Sequence, residues 1–321
     1  MKKLLALAFL AAALLGLGFW FLQGWNGAGP STRPTPVVIA AGSSMVKAAG
    51  TLEQAGVIAS AERFLFQAKV FGGGESITAG EYEFPARASH SEVLSILQSG
   101  KTLQRMVTIP EGLPSVLVHE RLMRAPALTG DVPVPEEGSV LPNSYSYQRG
   151  EPRAAVLKRM QAAMAKTLAE LWAKRSPDTV AKTPQEAVTL ASIVEKETGK
   201  ASERRMIAGV YSNRLKQGIK LDADPTVIYP ITKGRPLGRR ILRSELMANN
   251  GYNTYAMAGL PAGPIANPGK ESIAAVLNPA PTQALYFVAD GTGGHVFANT
   301  LAEHNSNVQK WYAIRRARGE M

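Results

Sequence analysis

Glu195, Glu197 and Glu203 fall close together in the chain, with Asn213, Arg214 and Asp224 following soon after. Carboxyl groups do general acid–base work when their surroundings let them hold a proton near neutral pH. Amide and guanidinium groups beside them suit the holding of polar substrate groups. Ala187, Leu190, Ala191 and Val194 recur at i, i+3, i+4 and i+7 just upstream, which is one face of a helix. Desolvation against such a face raises a carboxyl pKa. At about 100° per residue, Glu195 and Glu197 flank that face on opposite sides, so the helical wheel alone does not choose between them. Glu195 is equally suited to be a solvated helix charge or an ion-pair partner of Arg205 or Lys200.

Two helices must position these groups. Thr183, Pro184 and Glu186 form a helix start with a capping box and a proline at the first turn, and Gly199 is a natural stop. Ser202 then opens a second helix, with Ile207, Val210, Tyr211 and Leu215 on its apolar face and Gly218 at its end. Asp224, before Pro225, reads as a turn carboxylate. The segment at 259–269 is dense in Gly and Pro, a rigid loop able to fix polar side chains. A hairpin over 285–297 and a closing helix started by Thr300 and Glu303 carry His295, His304 and Asn305.

Several chemistries are excluded. The chain has no cysteine, so disulfides, thiol catalysis and cysteine-type zinc sites are absent. His119 and Glu120 begin a zinc-protease pattern, but position 123 is Met. No nucleophile elbow, phosphate loop or dinucleotide fingerprint occurs, so no metal and no cofactor is expected. The net charge of +11 over 321 residues favours acidic or polyanionic partners, but no nucleic-acid motif accompanies it, so nucleic acid is not expected as a partner.

At the N-terminus, Lys2 and Lys3 precede an uncharged run over 4–22, about 29 Å long as a helix. Phe19, Trp20, Phe21 and Trp25 resemble an interfacial aromatic belt, and stand where a cleaved leader would need small residues. The expectation is a retained single transmembrane helix over 1–23, anchored in the lipid of the cytoplasmic (inner) membrane. Its lysines lie inside and the body of the protein outside the cytoplasm. A Gly/Pro/Ser/Thr-rich linker covers 24–36. A small unit with a β-α-α-β pattern covers 37–102, and a mixed domain covers 103–321.

The segments ASIVEKETGKASERRMIAGVYSNRL, DPTVIY, YNTY, GLPAGPIANPG and LYFVADGTGGHVFANTLAEHN, in that order, resemble the endolytic murein transglycosylase (YceG-like) family. The sequence departs from the family pattern at Asp222, Ala262, Asn143, Ser144 and Asn278. The resemblance implies an α+β fold: a single transmembrane helix, a small LysM-like α/β unit and a mixed α+β catalytic domain. It implies cutting of nascent peptidoglycan glycan strands between MurNAc and GlcNAc to leave 1,6-anhydro-MurNAc ends, and partnership with peptidoglycan synthases. It also selects Glu197 as the catalyst.

Such a lyase needs one carboxyl, which first protonates the glycosidic oxygen and then takes a proton from the sugar C6 hydroxyl. A hydrolase would add a second carboxylate, Asp222 or Asp224, and a water. A non-catalytic wall-binding protein is the third reading. Substrate contacts are expected from Glu195, Asn213, Arg214 and Asp224; from Tyr252, Asn253, Thr254, Tyr255 and Asn267; and from His295, His304 and Asn305.

Overall fold

Serine hydroxyls start the first three helices. Ser44, Ser60 and Ser89 each accept a backbone N–H three residues on, opening α1 (Met45–Gln54), α2 (Ala61–Phe71) and α3 (His90–Ser99). The computed structural model describes residues 9, 12, 15, 16, 18, 19, 21, 23–74 and 76–320. They divide into two units: one holds the chain up to Arg105 together with Ser146–Gly150, the other holds the remainder.

In the first unit, β1 (Thr35–Ile39) pairs antiparallel with β2 (Gly80–Phe84), Thr35 opposite Phe84 and Ile39 opposite Gly80. Val37 and Ile39 point inward with Tyr82 and Phe84, and α1–α3 add Leu52, Phe64 and Leu97 to the same core. His90 is the first residue of α3. It is buried with its Nδ1 on Gln67 Oε1. Glu81 is buried on β2 and pairs with Arg105 and Arg149.

The expected membrane-spanning helix is corrected here. Among the described residues, no helix is long and apolar enough to cross a membrane. A span requires about 20 consecutive apolar residues in one helix. Much of the run over 1–23, Lys2, Lys3 and Trp20 included, lies outside the described residues. Two of the expected belt's described aromatic residues contact rings of α2, while Phe19 is exposed. Phe21 lies 5.4 Å from Phe66 and 5.7 Å from Phe71, ring to ring, and Trp25 lies 5.3 Å from Phe71. Gln67 Nε2 donates to the Phe21 carbonyl at 2.8 Å.

Further along the chain, β3 (Arg105–Thr108), α4 (Ser115–Arg124), β4 (Ser144–Tyr147) and α5 (Arg153–Ala173) lead to α6 (Pro184–Glu197). Thr183 caps α6 by accepting the Glu186 N–H at 3.1 Å, while the Glu186 carboxylate takes the Lys182 N–H at 2.7 Å. The periodic face is only part of what α6 buries: every residue from Ala187 to Val194 is buried. A helix buried all round must satisfy its own polar side chains. Thr189 donates to Gln185 O, and Ser192 donates to Thr189 O and accepts the Ile265 N–H at 3.0 Å. That last bond fixes the Pro/Gly loop to the central helix.

α7 (Arg204–Lys216) packs on α6, preceded by a short 3₁₀ turn over Ala201–Glu203. The α6 stop falls at Thr198 rather than Gly199, and Ser202 lies inside the turn without capping α7. Gly209 on α7 is required by a close approach: a Cβ there would lie 2.7 Å from the Ala280 carbonyl oxygen. α8 (Asp224–Thr232), a single turn at Arg243–Leu246, and α9 (Lys270–Leu277) follow. A hairpin of β5 (Tyr286–Ala289) and β6 (His295–Ala298) is covered by α10 (Leu301–Ala317).

Candidate active site

Glu197 is the last residue of α6, and Thr198 leaves the helix in an extended conformation. A helix C-terminus carries partial negative charge and disfavours a carboxylate. Glu197 lines a cleft of about 650 Å³ and is only partly exposed to it. Burial pushes its carboxyl up to about 7; the Asp224 charge adds to the rise, and a hydrogen bond from Tyr211 opposes it.

Tyr211, on α7, is fully buried and donates its hydroxyl proton to Glu197. Its ring stands edge-on to Phe287, centroids 5.8 Å apart. Burial and the adjacent carboxyl hold the phenol well above its ordinary value, so it stays a donor. One helical turn on, Arg214 donates Nε to Leu285 O at 2.6 Å. Its Nη1 donates to Lys220 O at 2.9 Å, Leu221 O at 3.1 Å and Asp222 Oδ2 at 3.1 Å. Its guanidinium carbon sits 5.2 Å from the Tyr286 ring centre. Asp222 has φ of +49°, a left-handed position that Asp tolerates better than most residues.

Asp224 is not in a free turn. It is the first residue of α8, ahead of Pro225, where the helix N-terminus favours negative charge. The Tyr255 hydroxyl donates to its Oδ1 at 2.7 Å. Tyr286, Phe287, Leu301, His304 and Tyr312 also line the cleft. His304 stacks on Tyr286 at 5.2 Å and 24°. Burial, with the Arg214 charge, holds its imidazole below the ordinary value, so the ring is neutral at pH 7. Its Nδ1 is buried with no hydrogen-bond partner among the described residues.

Glu197, Arg214, Asp224, Tyr255 and His304 thus meet in one cleft. The other expected contacts are engaged elsewhere. Glu195 accepts the Gly269 N–H at 2.9 Å and pairs with Arg204 at 3.4 Å. Asn213 donates to Thr282 O and Ala284 O. Asn253, fully buried, donates to three carbonyls in the 245–248 stretch. Thr254 hydrogen-bonds Thr226 and Ala223 N, and Tyr252 packs its ring 5.0 Å from Tyr229. Asn267, also fully buried, accepts the Val140 N–H and donates to Leu113 O, Ser115 Oγ and Glu137. His295 is clipped through its Nδ1 and its backbone N–H to Glu203, at 2.8 and 3.0 Å. Asn305 is exposed on α10 and does not line the cleft.

Sequence reasoning placed Tyr211 on an apolar face and missed it as a partner of Glu197. Its position three residues before Arg214, on one helix face, was the available signal. Tyr286 and Tyr312 were also missed. Among the described residues, no group of three or more His, Cys, Asp or Glu is placed to hold a metal ion.

A protein named endolytic murein transglycosylase from Streptococcus pneumoniae D39 is 28% identical over 327 aligned positions, covering 87% of this chain and 58% of that protein. The chain therefore spans less than two thirds of that relative's length. A protein of the same name from Bacillus subtilis 168 is 29% identical, covering 86% of this chain and 84% of its own. The crystal structure of a putative YceG-like protein from Listeria monocytogenes superposes with a TM-score of 0.55 at 27% identity, over 86% of this chain and 99% of that one. The YceG-like family profile matches residues 37–310, and on that match the chain belongs to the YceG-like family.

Proposed function

We propose that this protein is a peptidoglycan lytic transglycosylase. It cleaves the MurNAc–GlcNAc bond within glycan strands and leaves 1,6-anhydro-MurNAc ends. The observation that carries the reading is Glu197, a carboxyl raised to about 7 at the wall of a polar cleft. Such a group holds a proton at neutral pH and gives it to the glycosidic oxygen as the bond breaks. As a carboxylate it then takes the proton of the C6 hydroxyl, which attacks C1 and closes the anhydro ring. Tyr211 orients the carboxyl in both states. Asp224, held by Tyr255, places negative charge where positive charge develops on the sugar ring. The names of the pneumococcal and Bacillus relatives support the same substrate. That substrate implies a place of action outside the cytoplasm, where glycan-polymerising synthases would supply nascent strands. In the first unit, the β-α-α-β-α order supports a LysM-like role in contacting the wall.

A second reading keeps Glu197 as the acid and uses Asp224 as a base toward water. It is favoured by Asp224 lying near enough for its charge to act on Glu197. Mass spectrometry of products from uncrosslinked glycan strands separates the two. Anhydro products are about 18 Da lighter than hydrolytic ones, having lost the elements of water. The expected result is anhydro ends from the native chain and none from Glu197→Gln. Reducing ends would establish the hydrolase, and unchanged cleavage by Glu197→Gln would overturn both. Wall binding without cleavage by the native chain would leave only a binding protein.

A further inference from the structure

A second groove, of about 520 Å³, begins where the first cleft ends. Lys196 lines it, and the next residue, Glu197, lines the cleft; Pro225 lines it, and the preceding residue, Asp224, lines the cleft. The C-terminal turn of α6 and the N-terminal turn of α8 are therefore a ridge shared by both. The groove floor is apolar, built from Leu113, Pro114, Leu117 and Ile228. Its rim carries Lys196 and Arg235 together with Glu111, whose carboxylate is paired with Arg204 at 2.8 Å. Lys196 is exposed and has no ion pair among the described residues, whereas Arg235 pairs with Glu120. One wall is fixed by Gly234, whose φ of +83° and closeness to Pro114 exclude a side chain: a Cβ would lie 2.6 Å from Pro114 Cβ. Its volume lies in the usual range for a small-ligand pocket.

The geometry points to this groove as a binding site for the stem peptide that hangs from the N-acetylmuramic residue being cut. The inference rests on the proposed transglycosylase reading and names the part of the substrate that this reading leaves unassigned. A stem peptide leaves the sugar through a lactyl ether on the same ring whose C1 is attacked, so it must exit the cleft close to Glu197. It is short, carries alanine methyls that suit an apolar floor, and bears free carboxylates that suit Lys196 and Arg235. A strand stripped of its peptides keeps only the lactyl carboxylate of each muramic residue and has no alanine methyls to lay on such a floor. The same groove would therefore favour uncrosslinked strands that still bear their peptides over stripped ones.

The test compares kcat/KM on uncrosslinked strands bearing stems with that on the same strands stripped by an amidase. The native chain is expected to prefer the stem-bearing strands by about tenfold, and Lys196→Glu and Leu117→Asp to lose most of that ratio. The ratio cancels any effect of Lys196→Glu on the Glu197 proton, since both substrates feel it equally. Equal kcat/KM for both strands in the native chain, or an unchanged ratio in both variants, overturns the inference while leaving the transglycosylase reading intact. A second measurement does not require turnover: titration of free stem pentapeptide into Glu197→Gln, followed by calorimetry. Saturable binding that Lys196→Glu weakens supports the site, and no binding overturns it even if neither strand is cleaved.

Discussion

Replacing Glu197 by Gln should make the protein more stable above neutral pH and leave it nearly unchanged in mild acid. In the folded chain the Glu197 carboxyl keeps its proton to about pH 7, because burial opposes the charge. In the unfolded chain it releases that proton near 4.5. Between these values the folded state binds the extra proton, so stability falls as pH rises through this window. At about 1.4 kcal/mol per pH unit, the full gap amounts to about 3 kcal/mol, present below pH 4.5 and lost by about pH 7. Glutamine occupies the same volume, accepts the Tyr211 hydrogen bond and does not titrate, so it escapes the loss. The assay is urea unfolding of both proteins at pH 5 and pH 8, with fluorescence as the readout. The variant's advantage should approach 3 kcal/mol at pH 8 and be well under half of that at pH 5. An equal difference at both pH values, or a variant less stable at pH 8, would refute the claim that a buried, protonated carboxyl sits at the end of α6.

Tyr211→Phe removes the hydrogen bond that favours the Glu197 carboxylate, so the alkaline limb of the kcat/KM profile should move up by about one pH unit, the size of one charge-assisted bond. Asp224→Asn removes a charge that raises the same group, so that limb should move toward acid, read from the same profile. Glu195→Ala strips the buried partner of Arg204 and the acceptor of Gly269 N. It should cost about 2–4 kcal/mol in urea unfolding while the folded fraction still cleaves, a sharp contrast with its neighbour two residues away.

The parts of this site legible in the sequence are local. The start of α6 follows from Thr183, Pro184 and Glu186, whose capping interactions reach only a few residues. The capping box at Thr300 and Glu303 and the 286–298 hairpin are equally local, and both form as expected. The fate of the amides was not legible. Asn213 near the end of a helix, and Asn253 and Asn267 among turn formers, resemble substrate ligands. Their donors instead go to backbone carbonyls of segments that tertiary folding brings beside them. His295 and Glu203, 92 residues apart, meet only because the hairpin returns to the end of α6. The Glu197 proton affinity depends on burial by distant residues, so spacing alone left Glu195 and Glu197 equal.

The bonds of Arg214 have a consequence for how the cleft handles strands. One planar guanidinium holds the 220–222 segment with one nitrogen and the start of β5 with another. These are two sides of the same opening, so its gauge is set by the fixed span of a rigid group rather than by a hinge. Widening it means breaking charge-assisted bonds to three backbone carbonyls at once. The mouth should therefore hold the same dimensions empty and filled. On the proposed reading, a glycan chain entering it would meet a ready-made channel and lose little affinity to ordering the protein.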